Sequence, residues 1–179
     1  MDACWARYAV AVISGNLSDH LDHFIRALTD ERVFAGMASA ALAGLGSVAA
    51  PTVPALTEAL SDPHPDNRWS AACALANIGP PAREAVPELT HALDDSDEKV
   101  RWYAAWALAE IGPDSAPAVP ALIERLGDFD DDVRGYAAMA LGRIGPAARA
   151  GTDALSALKN DENGAVREEA TTALTLIGK

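Results

Sequence analysis

Cysteine is nearly missing from this chain: Cys4 and Cys73 are the two among 179 residues. That is too few for a disulfide framework or a cysteine-rich metal site, and a reducing, cytoplasmic compartment is the expectation. Positive charge is also scarce. Lys and Arg total 14 against 26 Asp and Glu, a formal charge of −12, which repels a phosphate backbone and argues against nucleic acid as a partner. Aromatic residues make up 6% and strand signals are absent, while Ala dominates the hydrophobic half of the composition, so close-packed helices are expected rather than sheets. His20, His23, His64 and His91 are each followed by a residue other than Glu, and no local Ser/His/Asp or Cys/His motif points to a nucleophile. No catalytic residue, metal or cofactor is therefore expected.

Long apolar runs are scarce as well. Val33 to Thr57 is uncharged over 25 residues, formally enough to span a bilayer, but Gly44, Gly46, Pro51 and Pro54 interrupt it. Near the start, Asp2 precedes a short apolar run broken by Arg7, which is not the order of a secretory signal. Neither a membrane segment nor a membrane partner is expected.

What the chain does have is a repeat. An Ile-Gly or Leu-Gly pair closes at Gly46, Gly79, Gly112, Gly145 and Gly178, each 33 residues after the last. A period of this size marks units that bury their apolar faces only by stacking on neighbours. The reading is a single domain over 1–179: a half repeat at 1–15, then repeats near 16–46, 47–79, 80–112, 113–145 and 146–179. Each full unit from Val53 onward predicts a first helix, opening on Val-Pro in three of them (Val53–Leu60, Val86–Leu93, Val119–Leu126) and shorter at Ala154–Leu158, then a polar turn and a second helix (67–78, 98–111, 131–144, 164–177). The closing glycines suit a left-handed C-terminal position, and Pro54, Pro87 and Pro120 suit a first helical turn.

The skeleton V-P-x-L-x-x-x-L, an Asp turn, then V-R-x-x-A-A-x-A-L-x-x-I-G, clearest from Val53 to Ile144, resembles bacterial HEAT-like repeats. The resemblance implies an all-α, right-handed α-solenoid of about five helix pairs plus the N-terminal half, with the Val-Arg helices lining the concave side. It also implies an interrepeat ladder. Its candidates are Asp62 with Arg68, Asp95 with Arg101, Asp128 with Arg134 and Asp161 with Arg167, each pair six residues apart. A guanidinium can donate two N–H bonds to one carboxylate, so such pairs could set the register between repeats. Ala35 stands at the Arg position of the first full unit, where a rung is missing.

On the Val-Arg helix, a turn of about 100° per residue gathers Val100, Ala104, Ala107, Leu108 and Ile111 into a core stripe. It sets Trp102, Trp106 and Ala109 opposite, with Tyr103 and Glu110 beside them. All Trp and Tyr of the chain fall on this one set of sites: Trp5 and Tyr8 in the half repeat, then Trp69, then Trp102, Tyr103 and Trp106, then Tyr136. Met37 and Met139 share them. Trp and Tyr are enriched at binding hot spots, so the expected function is a non-enzymatic protein or peptide scaffold with an aromatic-lined concave groove. Small residues between Trp5 and Trp69 predict an apolar anchor site, and Glu110, Glu168 and Glu169 predict a ligand with a basic flank. The alternative, which the resemblance to phycobilin lyase subunits implies, is a groove for a tetrapyrrole. The apolar N-terminal helix further suggests a homodimer through that end.

Overall fold

The computed structural model describes residues 46–178. The half repeat, nearly all of the first full repeat, the proposed dimer surface, and Trp5, Tyr8 and Met37 lie outside the described residues. Four units follow one another, each a 3-10 segment, a short helix, a turn and a longer helix. The short helices are α1 (Val53–Ala59), α3 (Val86–Ala92), α5 (Val119–Arg125) and α7 (Thr152–Ala157). The long ones, 14 residues each, are α2 (Pro65–Ile78), α4 (Glu98–Ile111), α6 (Asp131–Ile144) and α8 (Gly164–Ile177). No strand occurs among the described residues. The result is an α-solenoid.

The 3-10 segments were not anticipated. Pro80, Pro113 and Pro146, each directly after a glycine stop, sit in the opening turns of Pro80–Ala85, Gly112–Ala118 and Gly145–Gly151. With its φ fixed and its N–H missing, Pro can open a tight turn but not continue the preceding helix. Pro54, Pro87 and Pro120 do occupy the first turns of α1, α3 and α5. The glycine stops differ in detail from expectation. Gly79, Gly112 and Gly145 have φ of 72°, 77° and 76°, but ψ of −138°, −135° and −140°, a region more restricted to glycine than the left-handed helix. Conformation rather than space excludes a side chain there, since a Cβ on Gly112 would meet nothing within 4 Å.

Packing is uneven between the layers. The long helices stack directly, α2 on α4, α4 on α6 and α6 on α8, whereas the short helices meet the next repeat chiefly through its 3-10 segment. A layer in direct contact beside a layer spaced by an inserted segment curves toward the tighter one, so the long helices line the inner side. Alanine permits this closeness. Ala71, Ala104, Ala137 and Ala170 are fully buried at 33-residue intervals, and Leu56, Leu89, Leu122 and Leu155 fill the space behind them.

The face opposite the core stripe is narrower than a free helix would give. Ala109, expected on it, is 1% exposed. Its counterpart one repeat on, Gly142, explains why: a Cβ there would lie 2.8 Å from Ala173 Cα, so this flank of the helix is pressed against the next long helix.

Candidate ligand-binding groove

The ladder residues establish the spacing of the long helices, and their geometry is not the local one. Arg68 donates Nε and Nη2 to the Asp95 carboxylate at 2.7 Å each, across to the next repeat. Arg101 does the same to Asp128 at 3.0 and 2.9 Å, and Arg134 to Asp161 at 2.8 and 3.0 Å. The residue six positions earlier is met through its backbone: Nη1 of Arg68, Arg101, Arg134 and Arg167 donates to the carbonyls of Asp62, Asp95, Asp128 and Asp161. The guanidinium thus bridges its own turn and the following one. Each carboxylate also accepts the N–H two residues ahead, from His64, Asp97, Asp130 and Asn163 respectively. The Asp161 carboxyl is held below its usual range, first by Arg134. For Asp95 and Asp128, burial is the largest influence and pushes upward, but the bonds from Arg68 and Arg101, the Asp97 and Asp130 N–H groups and the nearby guanidinium charges together bring the net direction down.

The other turn carboxylates cap helices. Asp97 accepts from the N–H groups of Lys99 and Val100, and Asp130 from Val133, as the free donors of a first turn require. Asp128, Asp130 and Asp132 are spaced like the start of a calcium loop, which Val133 and Met139 then break, and Asp128 and Asp130 are already engaged by Arg101 and by the start of α6.

With spacing set, the rings of neighbouring repeats meet. Trp69 of α2 stacks on Tyr103 of α4, centroids 5.4 Å apart and planes 20° apart. Trp102 stacks on Tyr136 of α6 at 5.3 Å and 17°. Trp102 and Tyr103 also face each other, which joins the two pairs into one row across three repeats. Trp106 lies tilted at 6.0 Å from Tyr103. Trp69, Tyr103, Trp106, Tyr136 and Met139 rest partly on the core, whereas Trp102 is held by its ring neighbours. All six are half-buried, each keeping part of its surface exposed to solvent. Polar edges are matched: Trp69 Nε1 donates to Asp66, and Trp106 Nε1 to Glu110, whose other oxygen pairs with Arg143 of the next repeat at 2.7 Å. Burial raises the Tyr103 and Tyr136 hydroxyl pKa values, so both stay neutral donors.

Between α6 and α8 the surface opens into a cleft of about 230 Å³ lined by Gly135, Tyr136, Met139, Val166, Asp132 and Glu169, among others. Met139 and Glu169 also line an adjoining one of about 200 Å³ that runs to Leu176. Glu169 thus joins the groove where its acidic end was expected, and Glu110 is tied into the ring network, whereas Glu168 is exposed and lines neither cleft. Sequence reasoning missed Asp131 and Asp132, which share the lining, and fully exposed Phe129 on the turn before α6. Phe129 had a signal, since the same turn position holds Pro63, Ser96 and Glu162 in the other repeats. Among the described residues no helix is long and apolar enough to cross a membrane.

Comparison with known proteins fits this architecture. The sequence profile of HEAT repeats matches residues 53–128 and 119–179. No curated protein matches. Among solved structures, an engineered protein superposes with a TM-score of 0.78 at 26% identity, covering 97% of this chain and 83% of its own. A designed armadillo repeat protein in complex with the peptide (KR)4 gives 0.78 at 21%, covering 96% and 86%. The complex of CpcE and CpcF of phycocyanin lyase from Nostoc sp. PCC7120 gives 0.67 at 23%, covering 87% and 98%.

Proposed function

This chain belongs to the HEAT repeat family, and from that premise we propose that it is a non-enzymatic scaffold whose inner face binds a protein or peptide. One observation carries the reading: the row Trp69, Tyr103, Trp102, Tyr136 runs unbroken across three repeats with each residue still partly exposed to solvent. Large, rigid rings already held in place lose little conformational freedom when a ligand covers them, which is why Trp and Tyr dominate hot spots. The acidic residues around the row favour a ligand that couples an apolar anchor to a basic flank. Peptide recognition by the designed armadillo relative, whose fold this chain shares, is in keeping with that class of ligand.

A tetrapyrrole, suggested by the likeness to phycocyanin lyase, fits less well. Bilin propionates are anionic, and Asp66, Asp131, Asp132 and Glu169 stand around the rings. Catalysis is not part of the proposal either. The Cys73 thiol, on this same face, is pushed upward by burial, away from the thiolate that nucleophilic chemistry requires.

The test is capture of polypeptides by immobilised protein, comparing the wild type with a Trp102→Ala, Trp106→Ala double variant. Specific capture by the wild type, lost in a variant that still unfolds cooperatively, supports the groove. Unchanged capture sends the binding surface elsewhere, and collapse of the fold makes the row a structural element.

A further inference from the structure

The ring row follows a diagonal rule and then breaks it. A Trp ten residues before one glycine stop stacks on a Tyr nine residues before the next, giving Trp69 with Tyr103 and Trp102 with Tyr136. The third place on this diagonal would pair residue 135 with residue 169, and there the chain has Gly135 and Glu169. Where two rings would have stood, the structure has the 230 Å³ cleft, lined by both residues and by Tyr136. One face of Tyr136 is covered by Trp102, while Val166 and Glu169 of α8 stand on the cleft side. The Tyr136 pKa is raised by burial, then by Asp132 and Glu169, so both carboxylates act on this ring. Asp132 is itself held above the usual carboxylate range by burial and by Asp130 and Asp131, the mark of a site short of positive charge. Glu110 has Arg143 as a partner, whereas Glu169 has no ion pair among the described residues.

Building on the proposed groove, we infer that this gap is a subsite for a guanidinium: an arginine of the bound polypeptide, stacked on Tyr136 and paired with Glu169. The ligand would supply what the repeat omits. A guanidinium is planar like the missing ring, stacks on an aromatic face, and offers a fork of N–H donors to a carboxylate. An ammonium can do the second as a point charge but not the first. Gly135 keeps the entrance open, since a Cβ there would only approach Val166 Cγ2 at 3.9 Å, leaving room for any larger side chain to project into the cleft.

The experiment uses acetylated, amidated (Leu-Arg)4, its citrulline counterpart, which is isosteric and neutral, and (Leu-Lys)4, titrated by calorimetry at physiological salt. The arginine peptide should bind at least tenfold tighter than the citrulline peptide, with lysine between them. Glu169→Gln should weaken arginine binding about tenfold and leave citrulline binding unchanged. Glu168→Gln, the same charge change on an exposed neighbour outside the cleft, should shift it less than twofold. Gly135→Trp, which fills the gap, should erase the difference between arginine and citrulline. Equal binding of arginine and citrulline, or equal effects of the two glutamate changes, overturns the subsite. If citrulline binding is nonetheless lost in the Trp102→Ala, Trp106→Ala variant, the groove itself stands. Binding of none of the peptides overturns the subsite and counts against the groove as well.

Discussion

Arg134→Ala tests the ladder at its most enclosed rung. The substitution removes two bonds to the Asp161 carboxylate, at 2.8 and 3.0 Å, and two to the carbonyls of Asp128 and Phe129, at 2.9 and 3.3 Å. Asp161, 8% exposed in its side chain, is left with the Asn163 N–H at 2.9 Å. Breaking a buried pair from one side costs about 3–5 kcal/mol. The rung touches solvent at its edge, so a loss of about 3 kcal/mol is expected. Arg101→Ala should cost less, about 2 kcal/mol, because Arg125 stands 3.9 Å from Asp128 and can close on the stranded carboxylate. Arg167 is exposed and bonds only the carbonyls of Asp161 and Glu162, so Arg167→Ala should cost about 1 kcal/mol. Exposed Arg83→Ala should stay within about 0.5 kcal/mol. Urea unfolding followed by circular dichroism ranks the four through their midpoints and slopes. Equal midpoints for Arg134→Ala and Arg83→Ala would refute the argument that these pairs hold the repeats together.

The same rung sets a pH dependence. A carboxyl whose folded pKa lies below its unfolded value stabilises the fold above about pH 4 and ceases to do so as pH falls through the folded value. The gap between wild type and Arg134→Ala should therefore narrow from pH 7 to pH 3, and a constant gap would contradict it. Two glycines of α6 should respond with opposite signs. Gly135→Ala should stabilise by about 1 kcal/mol, since helix propensity improves and the nearest atom is 3.9 Å away, while Gly142→Ala should destabilise by about 1–3 kcal/mol against Ala173. Melting temperatures moving the same way would count against the close approach of α6 and α8. Ser115 Oγ is buried with no hydrogen-bond partner where the other repeats carry Ala49, Ala82 and Ala148, so Ser115→Ala should stabilise by about 1 kcal/mol. A measured loss would show that the hydroxyl is satisfied.

Much of this architecture is legible in one dimension because the glycine stops, Val-Pro openings and Val-Arg openings each recur at a fixed interval. The long helices α4, α6 and α8 fall where the periodicity places them, and α2 begins two residues earlier, at Pro65. What escapes is whatever depends on the neighbouring repeat. Arg68 has an acidic residue six positions before it and another 27 after it, and spacing favours the near one, but the carboxylate that accepts its fork is the far one. Ala109 reads as outward on a lone helix and is buried because a second helix lies along that flank. The ring row was visible as a set of sites, but its diagonal stacking, and the gap at Gly135, appear only when successive repeats are laid side by side. The 3-10 segments recur with the repeat but carry no apolar helical period of their own, since they are short and rich in Pro and Ala.

The most direct test of the central claim is hydroxyl-radical footprinting of the protein alone and bound to the polypeptide it captures. Slowed oxidation of Trp69, Trp102, Trp106 and Tyr136 on binding, with Phe129 unchanged, is the predicted result. Rings oxidised at the same rate with and without the ligand, together with protection of Phe129 or of the short helices, would contradict it.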